Sequence, residues 1–121
     1  MSKRILIVED QEDNRRIMRD LLSASGYELI EAKTGEEGLA LAEKEVPDLI
    51  LMDIQLPGLD GYEVTRRIKS KFDLGHIPII AVTSYALSGD DQKAYAAGCD
   101  GYVTKPFSPR ELLAKIREFL P

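Results

Sequence analysis

The chain has 121 residues, the size of one domain, with 44% hydrophobic and 31% charged residues, the mix of a soluble globular protein. Its net charge of −5 argues against binding a nucleic-acid backbone, and its single Cys99 excludes an intrachain disulfide or a cysteine metal cage. There is no apolar run near 18 residues, and Met1-Ser2-Lys3-Arg4 leads into only four apolar residues, so neither a membrane span nor a signal peptide is expected. A cytoplasmic single domain over residues 1–121 is the expectation.

The first apolar run is Ile5-Leu6-Ile7-Val8, a strand ending at Glu9-Asp10. Ile17, Met18, Leu21 and Leu22 then recur at helical spacing, and Gly26 stops that helix. Tyr27 to Ile30 reads as an edge strand, and Gly35 to Glu45 as a helix with an Ala/Leu face. Leu49-Ile50-Leu51-Met52 is a second buried strand, ending at Asp53. A Pro57-Gly58 turn follows, then a helix marked by Val64 and Ile68. Ile77 to Val82 is the next strand, ending at Thr83. Ser88 to Ala97 is a weak helix whose inner face is mostly Ala. Gly101-Tyr102-Val103 is a brief strand before Thr104-Lys105-Pro106, and Leu112, Leu113, Ile116, Phe119 and Leu120 form the strongest helical stripe.

Five strands, each followed by a helix, predict an α/β fold: a flavodoxin-like (βα)5 three-layer sandwich with parallel strand order 2-1-3-4-5. Ligands of such sheets bind beyond the carboxyl ends of the strands, beside the switch point. Those ends carry Glu9 and Asp10, Asp53, Thr83 and Lys105. Three clustered carboxylates repel one another without a cation, and hard oxygen ligands suit Mg²⁺. Lys105 offers a point charge and Thr83 a hydroxyl for anionic oxygens. No glycine-rich phosphate loop occurs, so a phosphoryl group must be held another way, and a central carboxylate can accept it covalently as an aspartyl phosphate.

These residues carry a resemblance. Glu9-Asp10, the stretch PDLILMDIQLPGLDGYE around Asp53, Thr83-Ser84 and Thr104-Lys105-Pro106 resemble the receiver (CheY-like) domain of two-component response regulators over the whole chain. The separations fit as well: 43 residues from Asp10 to Asp53, 30 on to Thr83 and 22 on to Lys105. The resemblance implies that Asp53 is the phosphoacceptor. It makes Asp10, Asp53 and the Gln55 main-chain carbonyl direct Mg²⁺ ligands, with Glu9 acting through water. It makes Thr83 and Lys105 the phosphoryl-contacting pair and Tyr102 the switch aromatic, and it makes the Lys105-Pro106 bond cis. Ser84 stands where the family often has Ala. LILMDIQLP, HIPIIAVTS and the expected lack of an output domain look most like DivK-like single-domain regulators.

The implied role is signalling rather than metabolism. A histidine kinase or histidine phosphotransfer protein donates the phosphoryl group, and an effector protein reads the result. Mg²⁺-dependent self-phosphorylation and slow self-hydrolysis are the only chemistry. The α4-β5-α5 face, from the helix at Ser88 through Gly101–Val103 to the helix from Pro109, is the expected effector surface. Two rivals fit worse. A haloacid-dehalogenase-type phosphatase wants a second acid two residues after the nucleophile, where Gln55 stands, and a flavodoxin wants a phosphate loop where Glu9-Asp10 would repel FMN. His76 reads as a surface residue, Cys99 as a small buried hydrophobe, and Arg15-Arg16 and Arg66-Arg67 as solvated pairs on outer helix faces.

Overall fold

The computed structural model describes residues 2–83 and 90–121. Five strands, β1 (Arg4–Val8), β2 (Glu28–Ala32), β3 (Leu49–Asp53), β4 (Ile79–Thr83) and β5 (Gly101–Thr104), form one parallel sheet in the order β2-β1-β3-β4-β5. The helices are α1 (Glu12–Ala24), α2 (Gly35–Glu45), α3 (Gly61–Ser70), α4 (Asp90–Ala97) and α5 (Pro109–Phe119). The predicted order is found. The edge strand β2 lies one to two residues later than the alternation suggested, and β4 begins at Ile79, after the Pro78 ring has removed a ladder donor. Ser84, Ser88 and the turn into α4 lie outside the described residues.

Central strands are apolar on every residue because both faces are covered. Successive side chains point to opposite faces, so each strand feeds two cores. Leu6, Val8, Ile50, Met52, Ile79 and Ala81 pack with Ala42 of α2, Val64 and Ile68 of α3 and Ala94 of α4. Ile5, Ile7, Leu49, Leu51, Ile80 and Val82 pack with Met18 and Leu22 of α1 and Leu112 and Ile116 of α5. Each fully buried Ile or Leu contributes about 1.5–3 kcal/mol of transfer free energy.

The helix starts are written locally. Thr34, Asp60 and Ser108 accept the N–H groups of Glu37, Glu63 and Glu111 at 3.0, 2.9 and 3.1 Å. α1 has no such side-chain cap on Gln11. Its entry loop carries the Glu9 carboxylate instead, which accepts the Gln11 N–H at 3.3 Å. Gly61, the first residue of α3, lies so close to the main chain of Asp53 and Ile54 that any Cβ there would overlap it. Only glycine lets α3 start directly behind the end of β3.

Candidate functional site

Five sequence-predicted residues reach one rim because the sheet ladder continues past the strand ends. Glu9 N–H bonds Ala32 O at 3.0 Å, Ile54 N–H bonds Val82 O at 3.1 Å and Lys105 N–H bonds Thr83 O at 2.7 Å. Each site residue is therefore anchored by main-chain bonds within a residue of its own Cα, on rigid elements. The Lys105-Pro106 bond is cis, as the resemblance implied.

Glu9, Asp10 and Asp53 each bring a carboxylate oxygen within 4.8 Å of the others, so the three could hold one metal ion. Glu9 and Asp53 are buried and Asp10 is half-buried. Asp53 Oδ1 accepts the Gln55 N–H at 3.0 Å, which turns the carboxylate toward the loop after β3. Lys105 Nζ lies 2.6 Å from Glu9 Oε1 and 3.7 Å from Asp53 Oδ2. Thr83 is 1% exposed, and its hydroxyl makes a long 3.5 Å contact with Gln55 Oε1. A cleft of about 400 Å³ opens over Glu9, Asp10, Asp53, Gln55 and Lys105.

Burial pushes the Glu9 carboxyl above its ordinary range, and the neighbouring Asp53 adds to this while Lys105 opposes it. Burial and the adjoining Glu9 raise the Asp10 carboxyl likewise. The crowded anions are thus held at a cost, which a cation would relieve. All-oxygen donors with one half-exposed member fit a hard divalent ion that keeps part of its water.

Tyr102 is half-buried on β5, directly across from Ala81 and packed against the α2-α3-α4 core. Cys99 is buried and His76 is exposed, as expected. One expectation is overturned. Arg15 is not a solvated residue but 4% exposed, with its guanidinium on the Glu9 carbonyl oxygen at 2.9 Å; Arg16, Arg66 and Arg67 are exposed. The reason is a charged partner on β2, Glu31, which accompanies the cation into the interface. A signal existed: Arg15, Met18 and Leu22 share the inward face of α1 at i, i+3 and i+7. Gln11 and Asn14 also line the cleft, and sequence reading did not single them out. An apolar groove of about 250 Å³ between α1 and Lys105-Pro106-Phe107 adjoins it, with Ile17 55% exposed at its edge.

A doubly wound parallel sheet with an acidic triad, a lysine and a buried threonine at its carboxyl rim defines a class of α/β modules with a candidate cation site where such sheets bind their ligands. Within that class, the model of the response regulator receiver domain matches residues 5–117, and the chain belongs to that family. It is 48% identical over 120 residues to the polar-differentiation response regulator DivK of Brucella ovis, covering 99% of this chain and 98% of that protein. Among solved structures it resembles the receiver domain of the sensor histidine kinase PA1611 from Pseudomonas aeruginosa PAO1, which has a magnesium ion in its active site cleft. That match has 36% identity and a TM-score of 0.92, over 99% of this chain and 98% of the other. The chemotaxis protein CheY4 of Vibrio cholerae is similar at 28% identity and a TM-score of 0.93, over 98% and 99% of the two chains. Among the described residues no helix is long and apolar enough to cross a membrane.

Proposed function

We propose that residues 1–121 act as a single cytoplasmic receiver unit that accepts a phosphoryl group on Asp53 from a phosphohistidine of a histidine kinase or histidine phosphotransfer protein. The observation that carries this reading is the packing of the Glu9, Asp10 and Asp53 carboxylates within 4.8 Å of one another, with Lys105 beside them. Asp10, Asp53 and the Gln55 main-chain carbonyl are the residues to hold Mg²⁺ directly, with Glu9 through water. When bound, Mg²⁺ supplies positive charge against the carboxylates and the phosphoryl oxygens. An Asp53 carboxylate oxygen attacks phosphorus; the new O–P bond forms as the P–N bond to the donor imidazole breaks, and the electron pair leaves with nitrogen. Lys105 and Thr83 then hold phosphoryl oxygens. The chemistry is mostly positioning and electrostatics. The same site supports self-phosphorylation from small phosphodonors and slow self-hydrolysis, while the role of the chain is signalling.

Thr83 and Tyr102 form the switch in this reading. They stand on neighbouring strands β4 and β5, and Tyr102 packs toward α4. The α4-β5-α5 face is the surface an effector protein reads. The apolar groove beside Ile17 supports a donor that is a protein rather than a nucleotide. The test is the intact mass after incubation with acetyl phosphate and Mg²⁺. Wild type should gain one acid-stable, base-labile phosphoryl group, and Asp53→Asn, which keeps shape and loses the nucleophile, should gain none. Uptake by Asp53→Asn at the wild-type level places the acceptor elsewhere and ends this reading.

A further inference from the structure

Arg15 stands third in line behind the site and belongs to none of the roles above. Its Nη1 donates to the Glu9 main-chain oxygen at 2.9 Å, its Nη2 to the Glu12 carboxylate, and its Nε lies 3.5 Å from Glu31 Oε1. Arg19 joins the same acids, at 3.0 Å from Glu31 Oε1 and 3.5 Å from Glu12 Oε1. The four charges clamp α1 against β2. Only Arg15, in this clamp, also grips the main chain of the acidic loop.

The bond matters because of where that carbonyl sits. Glu9 O belongs to the peptide unit that joins Glu9 to Asp10. On the other side of the residue, Glu9 N–H is held by Ala32 O at 3.0 Å. A peptide is planar, so fixing its oxygen fixes the direction in which Asp10 leaves the loop. The Glu9 carboxylate is gripped by Lys105 Nζ at 2.6 Å and by the Gln11 N–H at 3.3 Å, and α1 has no side-chain cap on Gln11, so the Arg15 bond is the one that acts on the oxygen of the Glu9-Asp10 peptide itself. Crowded carboxylates would otherwise turn apart.

We propose that Arg15 is a positioning residue of the cation site. Through the Glu9 carbonyl it holds the Glu9-Asp10 pair turned toward Asp53, so that the divalent ion meets a site already formed. This rests on the reading of the acidic triad as a Mg²⁺ site. The effect is one of direction rather than charge, because Glu12 and Glu31 already balance the guanidinium.

The two effects have opposite signs, which makes them separable. Neutralising Arg15 leaves Glu12 and Glu31 less compensated and makes the field over the site more negative. By charge alone, Mg²⁺ should then bind more tightly. If Arg15 positions the loop, Mg²⁺ should bind more weakly, by about tenfold or more, as for other groups that orient metal ligands from behind. The experiment is a MgCl2 titration of the full chain followed by amide NMR shifts, at pH 7 and constant ionic strength, with no phosphodonor. Arg15→Gln should raise the Kd by about tenfold or more, and Arg15→Lys, which keeps the charge and a donor head on a different reach, should raise it by less. Arg19→Gln loosens the same clamp without touching Glu9 and should leave the Kd within about twofold of wild type, the size of a weak outlying effect. An unchanged or lower Kd in Arg15→Gln overturns the proposal, as does an Arg19→Gln Kd raised as much as that of Arg15→Gln. Where Arg15→Gln gives no folded spectrum, the Arg15→Lys Kd decides: a rise supports the proposal, and the wild-type value overturns it. A wild type that binds no Mg²⁺ removes the metal reading itself, whereas equal binding by wild type and variants removes only the role of Arg15.

Discussion

Lys105 Nζ lies 2.6 Å from Glu9 Oε1 but 3.7 Å from Asp53 Oδ2, so in this state the lysine is committed to the wholly buried Glu9 rather than to the candidate acceptor. It stands in for part of the charge that a metal would bring. Truncating one partner of a buried pair leaves the other charge unbalanced, a loss of about 3 kcal/mol or more for deeply buried pairs and less where, as here, one partner is partly exposed. Lys105→Met should therefore lower the melting temperature in EDTA, and Mg²⁺ should recover more of the loss in the variant than it adds to wild type. A differential scanning experiment in EDTA and in Mg²⁺ checks both; an unchanged melting temperature in EDTA counts against the compensating role. Lys105→Arg should still take up a phosphoryl group yet couple poorly to an effector, because a planar fork does not replace a point charge.

The acids themselves should behave oppositely. Burial raises the Glu9 and Asp10 carboxyls above their unfolded values. The folded state then holds more protons than the unfolded one as pH climbs from about 4 to the raised values, so the metal-free fold loses stability across that window. Asp10→Ala removes one of the crowded anions. It should raise the melting temperature in EDTA at pH 7 by on the order of 2–4 °C, and flatten the fall in stability between acid and neutral pH. Melting curves from pH 4 to 8 in EDTA are the measurement.

A proton-exchange experiment addresses the switch. Phosphorylation should change amide exchange chiefly over residues 84–106, around α4 and β5, and an effector should protect the same region. α4 buries Ala94 and Ala97 and no larger apolar side chain among its described residues, so it has little holding it against a shift. If phosphorylation and effector bias one equilibrium, as proposed, each must strengthen the other. Change confined instead to α1 would move the output face.

Away from the site, Val46 closes α2 at φ 44° and ψ 68°, a left-handed backbone that suits a β-branched side chain badly. Its N–H caps Ala42 O at 3.0 Å and its side chain is half exposed, so little packing offsets the strain. Val46→Gly keeps the cap and relieves the clash, and should stabilise the fold by about 1 kcal/mol, read by urea unfolding with an unchanged slope. A loss of stability would show that the Val46 side chain earns its place through packing.

Burial pushes the Cys99 thiol up to about 11, with a weak contact to Thr65 Oγ1 at 3.8 Å. The reactive thiolate is therefore scarce at pH 8. Ellman's reagent should label the native chain far more slowly than the urea-unfolded one, and equal rates would place Cys99 at the surface.

Much of this molecule is legible one element at a time. Runs such as Leu49 to Met52 are apolar on both faces, as a covered central strand requires, and stripes such as Leu112, Leu113, Ile116, Phe119 and Leu120 mark a helix by their spacing. Because parallel βαβ units put every strand's carboxyl end on one rim, the gathering of Glu9, Asp10, Asp53, Thr83 and Lys105 follows from their places at run ends. Which charge faces which does not follow. Lys105 and Glu9 are 96 residues apart, and their pairing depends on how β5 and β1 are placed across two intervening strands. Arg15 reads as surface because a lone charge is costly to bury, and it becomes interior only once Glu31 of β2 and the Glu9 carbonyl arrive beside it. Local pattern reports which face of an element turns inward. The partner that makes a buried charge affordable lies on another element, and only the folded arrangement supplies it.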